Sequence, residues 1–161
     1  MRIISSEIYS ITDATFYDEA ILGHKNTNWN AYRLVVSETD NIGTLLYSEN
    51  GQGHYWANNH NGITGSFACE FDLISYSDTK DVAFRIRADS TNDHYLQFKN
   101  MNVPQNAHIK LIYDGTSFKY QIDDNTPVNW VTASYNSVEL ALRLYGAGDT
   151  LKYHNFVIYP I

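Results

Sequence analysis

The stretch His54-Tyr55-Trp56-Ala57-Asn58-Asn59-His60-Asn61-Gly62 gathers two aromatic rings, two imidazoles and three amides into nine positions. Planar rings stack on the apolar faces of pyranose sugars, and amides both donate and accept, which matches a vicinal diol. Trp29, set among Asn26, Asn28 and Asn30, repeats the combination. Taken singly, either tryptophan serves as readily to plug an end of the fold while the asparagines cap turns. Two such stretches in one chain point to a binding surface at one of them, with Trp29, His54, Tyr55, Trp56, Asn58, Asn59 and His60 as its candidates.

Charged residues form the second candidate group. Glu70 and Asp72 share one parity of an alternating segment, and Arg85 and Arg87 share one parity of another. If the two segments are neighbours, these four residues form a cross-strand ion-pair ladder, each pair contributing a few tenths to about 1 kcal/mol. With Tyr95, Gln97 and Arg143 on the same wet face, they line a polar groove instead. There, guanidinium forks grip sugar hydroxyls or an anionic substituent.

Metal and catalytic patterns are weaker. His24, His54, His60, His94, His108 and His154 show no metal-ligand spacing with one another or with Cys69. Asp13, Asp18 and Glu19, and the turn Asp123-Asp124-Asn125, offer hard oxygen ligands for a structural calcium, although such clusters also occur as plain turns. No other cofactor is expected. The chain carries no G-x-S-x-G, H-E-x-x-H or phosphate-binding loop.

The elements that must position these residues have a period of two. Phe67, Cys69, Phe71 and Leu73 alternate with Ala68, Glu70, Asp72 and Ile74. Val82, Phe84 and Ile86 alternate with Ala83, Arg85 and Arg87, and Val138, Leu140, Leu142 and Leu144 with Glu139, Ala141 and Arg143. These are strands with one buried and one wet face, and no segment sustains a helical period. Asp114-Gly115 marks a hairpin between Ile109-Leu111-Tyr113 and Phe118-Tyr120-Ile122. In the last strand, Leu151 and Tyr153 have one parity and Phe156 and Ile158 the other, so a bulge is expected near Asn155. Roughly ten to twelve short strands separated by turn residues predict an all-β, two-sheet antiparallel β-sandwich. Residues 1–161 form one domain, with Phe67, Phe71, Phe84, Ile86, Leu111, Leu140 and Leu142 in the core.

Bulk properties narrow the partners. A net charge of −7 argues against a nucleic-acid partner, because no basic stripe exists to displace counterions. No apolar run is long enough to insert into a membrane as a helix. Cys69 is the one cysteine, and its alternation with Phe67 and Phe71 makes it a buried structural thiol. An aromatic share of 14% with only 18% charged residues fits a β-rich domain exposed outside a cell or on a virion. No secretory leader opens the chain, so a larger polypeptide is expected to carry it there. Oligomerisation is compatible with this composition.

The segments from Phe67 to Ile161, with the Asp114-Gly115 hairpin, the Asp123-Asp124 turn and the closing Phe156-Val157-Ile158-Tyr159-Pro160, resemble the concanavalin A-like (laminin-G-like) jelly-roll modules. The closing strand is also similar to carboxy-terminal adhesin domains of phage and archaeal virus tail proteins. The resemblance implies recognition of cell-surface carbohydrate, as the receptor-binding tip of a tail or another extracellular protein. It also admits a carbohydrate-binding module of a polysaccharide-degrading enzyme, or a structural tail domain without a ligand. Glycosidases of this fold place Glu-x-Asp and a second glutamate on one strand, because retention needs two carboxyl groups roughly 5–5.5 Å apart. Glu70-Phe71-Asp72 supplies the first half, but Ile74 and Ser75 stand where the second glutamate belongs. A non-catalytic module is therefore expected.

Overall fold

The structure is a computed structural model that describes residues 16–18, 29–39, 42–47, 52–57, 61–79 and 82–161. Within these, alternating apolar residues form thirteen strands in two antiparallel sheets. The larger sheet runs β11 (Val128–Thr132), β10 (Ser117–Ile122), β9 (Ala107–Tyr113), β6 (Phe67–Tyr76), β13 (Thr150–Pro160), β4 (Ile42–Leu46) and β3 (Val35–Thr39). Its eighth strand, β1 (Phe16–Asp18), also pairs with β13. The smaller sheet runs β2 (Asn30–Tyr32), β5 (Gly53–Trp56), β12 (Glu139–Leu144), β7 (Ala83–Arg87) and β8 (Asp93–Gln97). The two-sheet antiparallel sandwich expected from the period is what the chain forms, with one strand more than the sequence signals mark.

β13 is the spine of the larger sheet. One of its edges pairs with β6 along most of its length. The other is shared in sequence, first by β4 opposite Thr150 to Tyr153 and then by β1 opposite Phe156 to Ile158. Between the two halves the register against β6 shifts, and Asn155 takes a φ of 52°. This is the expected bulge; it lets Tyr153 and Phe156, of opposite parity, both face the core. The hairpin between β9 and β10 turns at Gly115, whose φ of 90° suits a residue without Cβ. The Asp114 carboxylate caps that turn by accepting the Thr116 and Ser117 backbone N–H groups at 2.9 and 2.8 Å.

The core lies between the sheets. Phe71 of the larger sheet meets Phe84 of the smaller at 5.7 Å between ring centroids and stacks on Phe156 at 5.3 Å. All seven core residues named from the sequence are buried. Cys69 is buried too, and burial pushes its thiol up, away from the reactive thiolate.

Candidate functional site

The outer face of the smaller sheet carries most of the candidate residues, and register explains why. Phe84, Ile86, Leu140, Leu142 and Leu96 point inward, so the alternate positions of β7, β12 and β8 point out. Cross-strand pairing then arranges the outward residues in rows. One row reads Trp56, Ala141, Arg85, Tyr95; the next reads Tyr32, His54, Arg143, Ala83, Gln97; the third reads Glu139, Arg87, Asp93. Each long arginine of the first two rows has an alanine beside it. Ala141 and Ala83 leave the space in which Arg85 and Arg143 fold down along the sheet.

Arg85 organises the centre. Its Nε and Nη2 donate to Asp93 Oδ1 and Oδ2 at 2.8 and 2.6 Å, a bidentate pair. Its Nη1 stands 2.6 Å from His54 Nε2. A guanidinium only donates, so Nε2 accepts and the His54 proton sits on Nδ1. Burial, reinforced by the positive charges of Arg85 and Arg143, drops the His54 pKa to about 3, so this ring is neutral. Burial pushes the Asp93 carboxyl up, yet hydrogen bonds from Arg85 and from Tyr95 Oη outweigh it and hold the group below the usual carboxylate range. The Arg85 guanidinium also lies over the Trp56 ring at 4.9 Å and over Tyr95 at 5.4 Å.

Arg143 is held differently. Its guanidinium lies 4.6 Å from the Tyr95 centroid and 4.9 Å from that of Tyr145. Only 8% of the residue is exposed, and among the described residues its enclosed Nε has no hydrogen-bond acceptor. Arg87 reaches Glu139 at 3.9 Å.

Several expectations need correction. Tyr55 points inward and stacks on Trp29 at 4.1 Å, while Trp29 meets Phe156 edge-on, so both rings pack with the core rather than offer a face to a ligand. Trp56 points outward but is 4% exposed with Arg85 over its ring, so it does not present a stacking platform either. Among the described residues, the exposed rings on this face are Tyr32 and Tyr145, at 49% and 42%. Sequence reasoning passed over both, although Tyr145 follows Arg143 by two residues and so shares its parity. Asn58, Asn59 and His60 lie outside the described residues. His54, Arg85, Arg87, Tyr95 and Arg143 stand together.

Glu70 and Asp72 are not in that group. The segment after β6 crosses to the other sheet, so the outward side of β6 and that of β7 look away from each other. The two acids instead bracket His108, which faces Asp72 across β6 and β9. His108 Nδ1 is 2.9 Å from Asp72 Oδ1 and Nε2 is 3.0 Å from Glu70 Oε2. Burial opposes the charged imidazole, but hydrogen bonds to Asp72 and Glu70 raise its pKa to about 9. Glu70, also held by Lys110 at 2.8 Å and by the Tyr159 hydroxyl, falls to about 2 despite burial. A cavity of about 270 Å³ beside this cluster is lined by Asp72, His108, Asp123 and His154, among others. Of the proposed calcium ligands, Asp13 and Glu19 lie outside the described residues, as does the side chain of Asp18. Asp123 accepts the His108 backbone N–H at 2.8 Å. Among the described residues, no three His, Cys, Asp or Glu side chains are grouped to hold a metal.

No family model matches the chain, and no curated protein does. Solved structures share its fold. A Bacillus subtilis protein of unknown function with a galectin-like fold matches with a TM-score of 0.63 and 10% identity, over 91% of this chain and 95% of that one. The carbohydrate-binding module CBM66 from Bacillus subtilis matches with a TM-score of 0.57 and 13% identity, over 83% and 97%. A Bacillus licheniformis β-glucanase matches with a TM-score of 0.56 and 10% identity, over 91% and 97%. The chain has the jelly-roll architecture that recognition domains and glycosidases both use.

Proposed function

We propose that this domain is a non-catalytic carbohydrate-recognition module whose ligand lies on the outer face of the five-stranded sheet. The observation that carries the reading is the layer formed by Arg85, His54, Asp93, Tyr95 and Arg143, flanked by the exposed rings of Tyr32 and Tyr145. Hydrogen bonds fix Arg85 and ring contacts hold Arg143 before a ligand arrives, and the exposed rings supply apolar area for a sugar face. The carbohydrate-binding module among the structural neighbours supports this class of ligand. Catalysis is disfavoured at Glu70 and Asp72, because both carboxylates are occupied by His108 and one also by Lys110. In this reading the domain is the glycan-binding part of a larger extracellular polypeptide. That polypeptide is a polysaccharide-degrading enzyme or a receptor-binding adhesin, such as that of a virus tail.

A glycan array tests the assignment. Binding of at least one glycan is expected, with affinity reduced about tenfold or more by Tyr145→Ala or Tyr32→Ala at unchanged melting temperature. Retention of full affinity in both variants moves the ligand off this face.

A further inference from the structure

Arg143 does what a purely structural arginine avoids. A guanidinium stays charged at any accessible pH, so it cannot escape burial by losing its proton. Buried charges are ordinarily paired. Arg85 has Asp93 and His54, and Arg87 has Glu139, but among the described residues Arg143 has neither an ion pair nor a hydrogen bond, although only 8% of it is exposed and its Nε is enclosed. Its closest neighbours are rings. Tyr95 and Tyr145 lie against the guanidinium, so the in-plane N–H groups are what remain for a further partner.

The surroundings select the sign of that partner. Among the described residues of this face, three guanidiniums stand against the carboxylates of Asp93 and Glu139, within a chain whose net charge is −7. His54, directly across from Arg143, is neutral and so offers it no counter-charge.

Resting on the carbohydrate reading above, we infer that the ligand is an acidic saccharide whose carboxylate docks in the plane of the Arg143 guanidinium, with its ring beside Tyr145. A planar carboxylate matches the arginine fork with two parallel hydrogen bonds. It also supplies the charge that the site lacks. The fold bears the unpaired Arg143 in the free state and recovers that cost on binding.

The test uses uronate- and sialate-bearing oligosaccharides, each with its carboxyl-reduced counterpart and with sulfated oligosaccharides as a further arm. They are titrated by calorimetry against the parent domain, Arg143→Met and Arg143→Lys. At least one carboxylated member is expected to bind at least tenfold tighter than its reduced form. Arg143→Met should abolish that preference while leaving the melting temperature unchanged or raising it, because it removes a buried unpaired charge. Arg143→Lys keeps the charge but not the fork, and should lose most of the preference. A reduced saccharide that binds as well as its acid, a stronger sulfated ligand, or a preference surviving in Arg143→Met overturns the inference and leaves the carbohydrate reading standing. A marked fall in melting temperature for Arg143→Met, with the preference intact in Arg143→Lys, makes Arg143 a packing residue and likewise overturns it. If no saccharide of any arm binds, the carbohydrate reading falls and takes the inference with it.

Discussion

His54 accepts a hydrogen bond from Arg85 across 2.6 Å, and burial together with that cationic neighbour decides how the imidazole titrates. Protonating Nε2 would set a cation against a cation in a buried place, hence the pKa of about 3 against an ordinary 6.5. Above pH 6.5 the ring is neutral in both the folded and the unfolded chain, and its titration does not alter stability. Below pH 6.5 the unfolded chain takes up a proton that the folded one refuses, so stability falls until the pH nears 3. Urea titrations across this range should show the decline. His54→Gln, which keeps an acceptor for Arg85, should flatten it.

His108 acts in the opposite direction. Its folded pKa of about 9 means that its contribution is complete below pH 6.5 and is lost as the pH rises through 9. Glu70, depressed to about 2, contributes above pH 4.5 and loses its share as the pH falls through 2. Together with His54 this places the stability maximum near pH 6.5. His108→Gln should cost about 2 kcal/mol there, less than the ~3–5 kcal/mol of a fully buried pair because the cluster touches solvent. It should also erase the decline between pH 6.5 and 9; a variant with the parent's alkaline limb would show that His108 is not protonated in the fold.

Phe71 joins the two sheets through Phe84 and Phe156. Replacing it by alanine should destabilise the domain by about 3–5 kcal/mol in chemical denaturation. A loss below about 0.5 kcal/mol, the size of an ordinary surface change, would contradict the packing.

Gly43 faces Tyr153 across β4 and β13, and a Cβ at Gly43 would collide with that ring. Tyr153 is fully buried, with Trp29 and Phe156 beside it, and has little freedom to move. Gly43→Ala should therefore cost about 1–3 kcal/mol by overpacking. Tyr153→Leu in the same chain should restore part of the loss, so that the two effects are not additive.

What the sequence made legible was the parity of each strand. The period of two put Phe71 and Leu142 inside, Arg85 and Arg143 outside, and the phase change between Tyr153 and Phe156 located the bulge at Asn155. Parity does not say which sheet a strand joins. Glu70-Asp72 and Arg85-Arg87 therefore looked like one groove when they face opposite solvents. Nor does it report what an outward side chain leans on. Trp56 faces out but disappears under Arg85, which the neighbouring Ala141 leaves room to bend. His108 meets Glu70 and Asp72 only through the register of β6 with β9, a pairing across 36 residues that no local pattern encodes.

The shared edge of β13 has a consequence for how the chain is made. A ribosome delivers β1, β4 and β6 long before the strand that all three pair with. Until then each presents unsatisfied N–H and C=O groups, β6 along ten residues that include Phe67, Phe71 and Leu73. Sheet closure must wait for these distant pairings, which makes for slow folding and a long exposure of sticky edges. During synthesis the larger sheet is a set of open seams, and the arrival of the β13 segment closes three of them together.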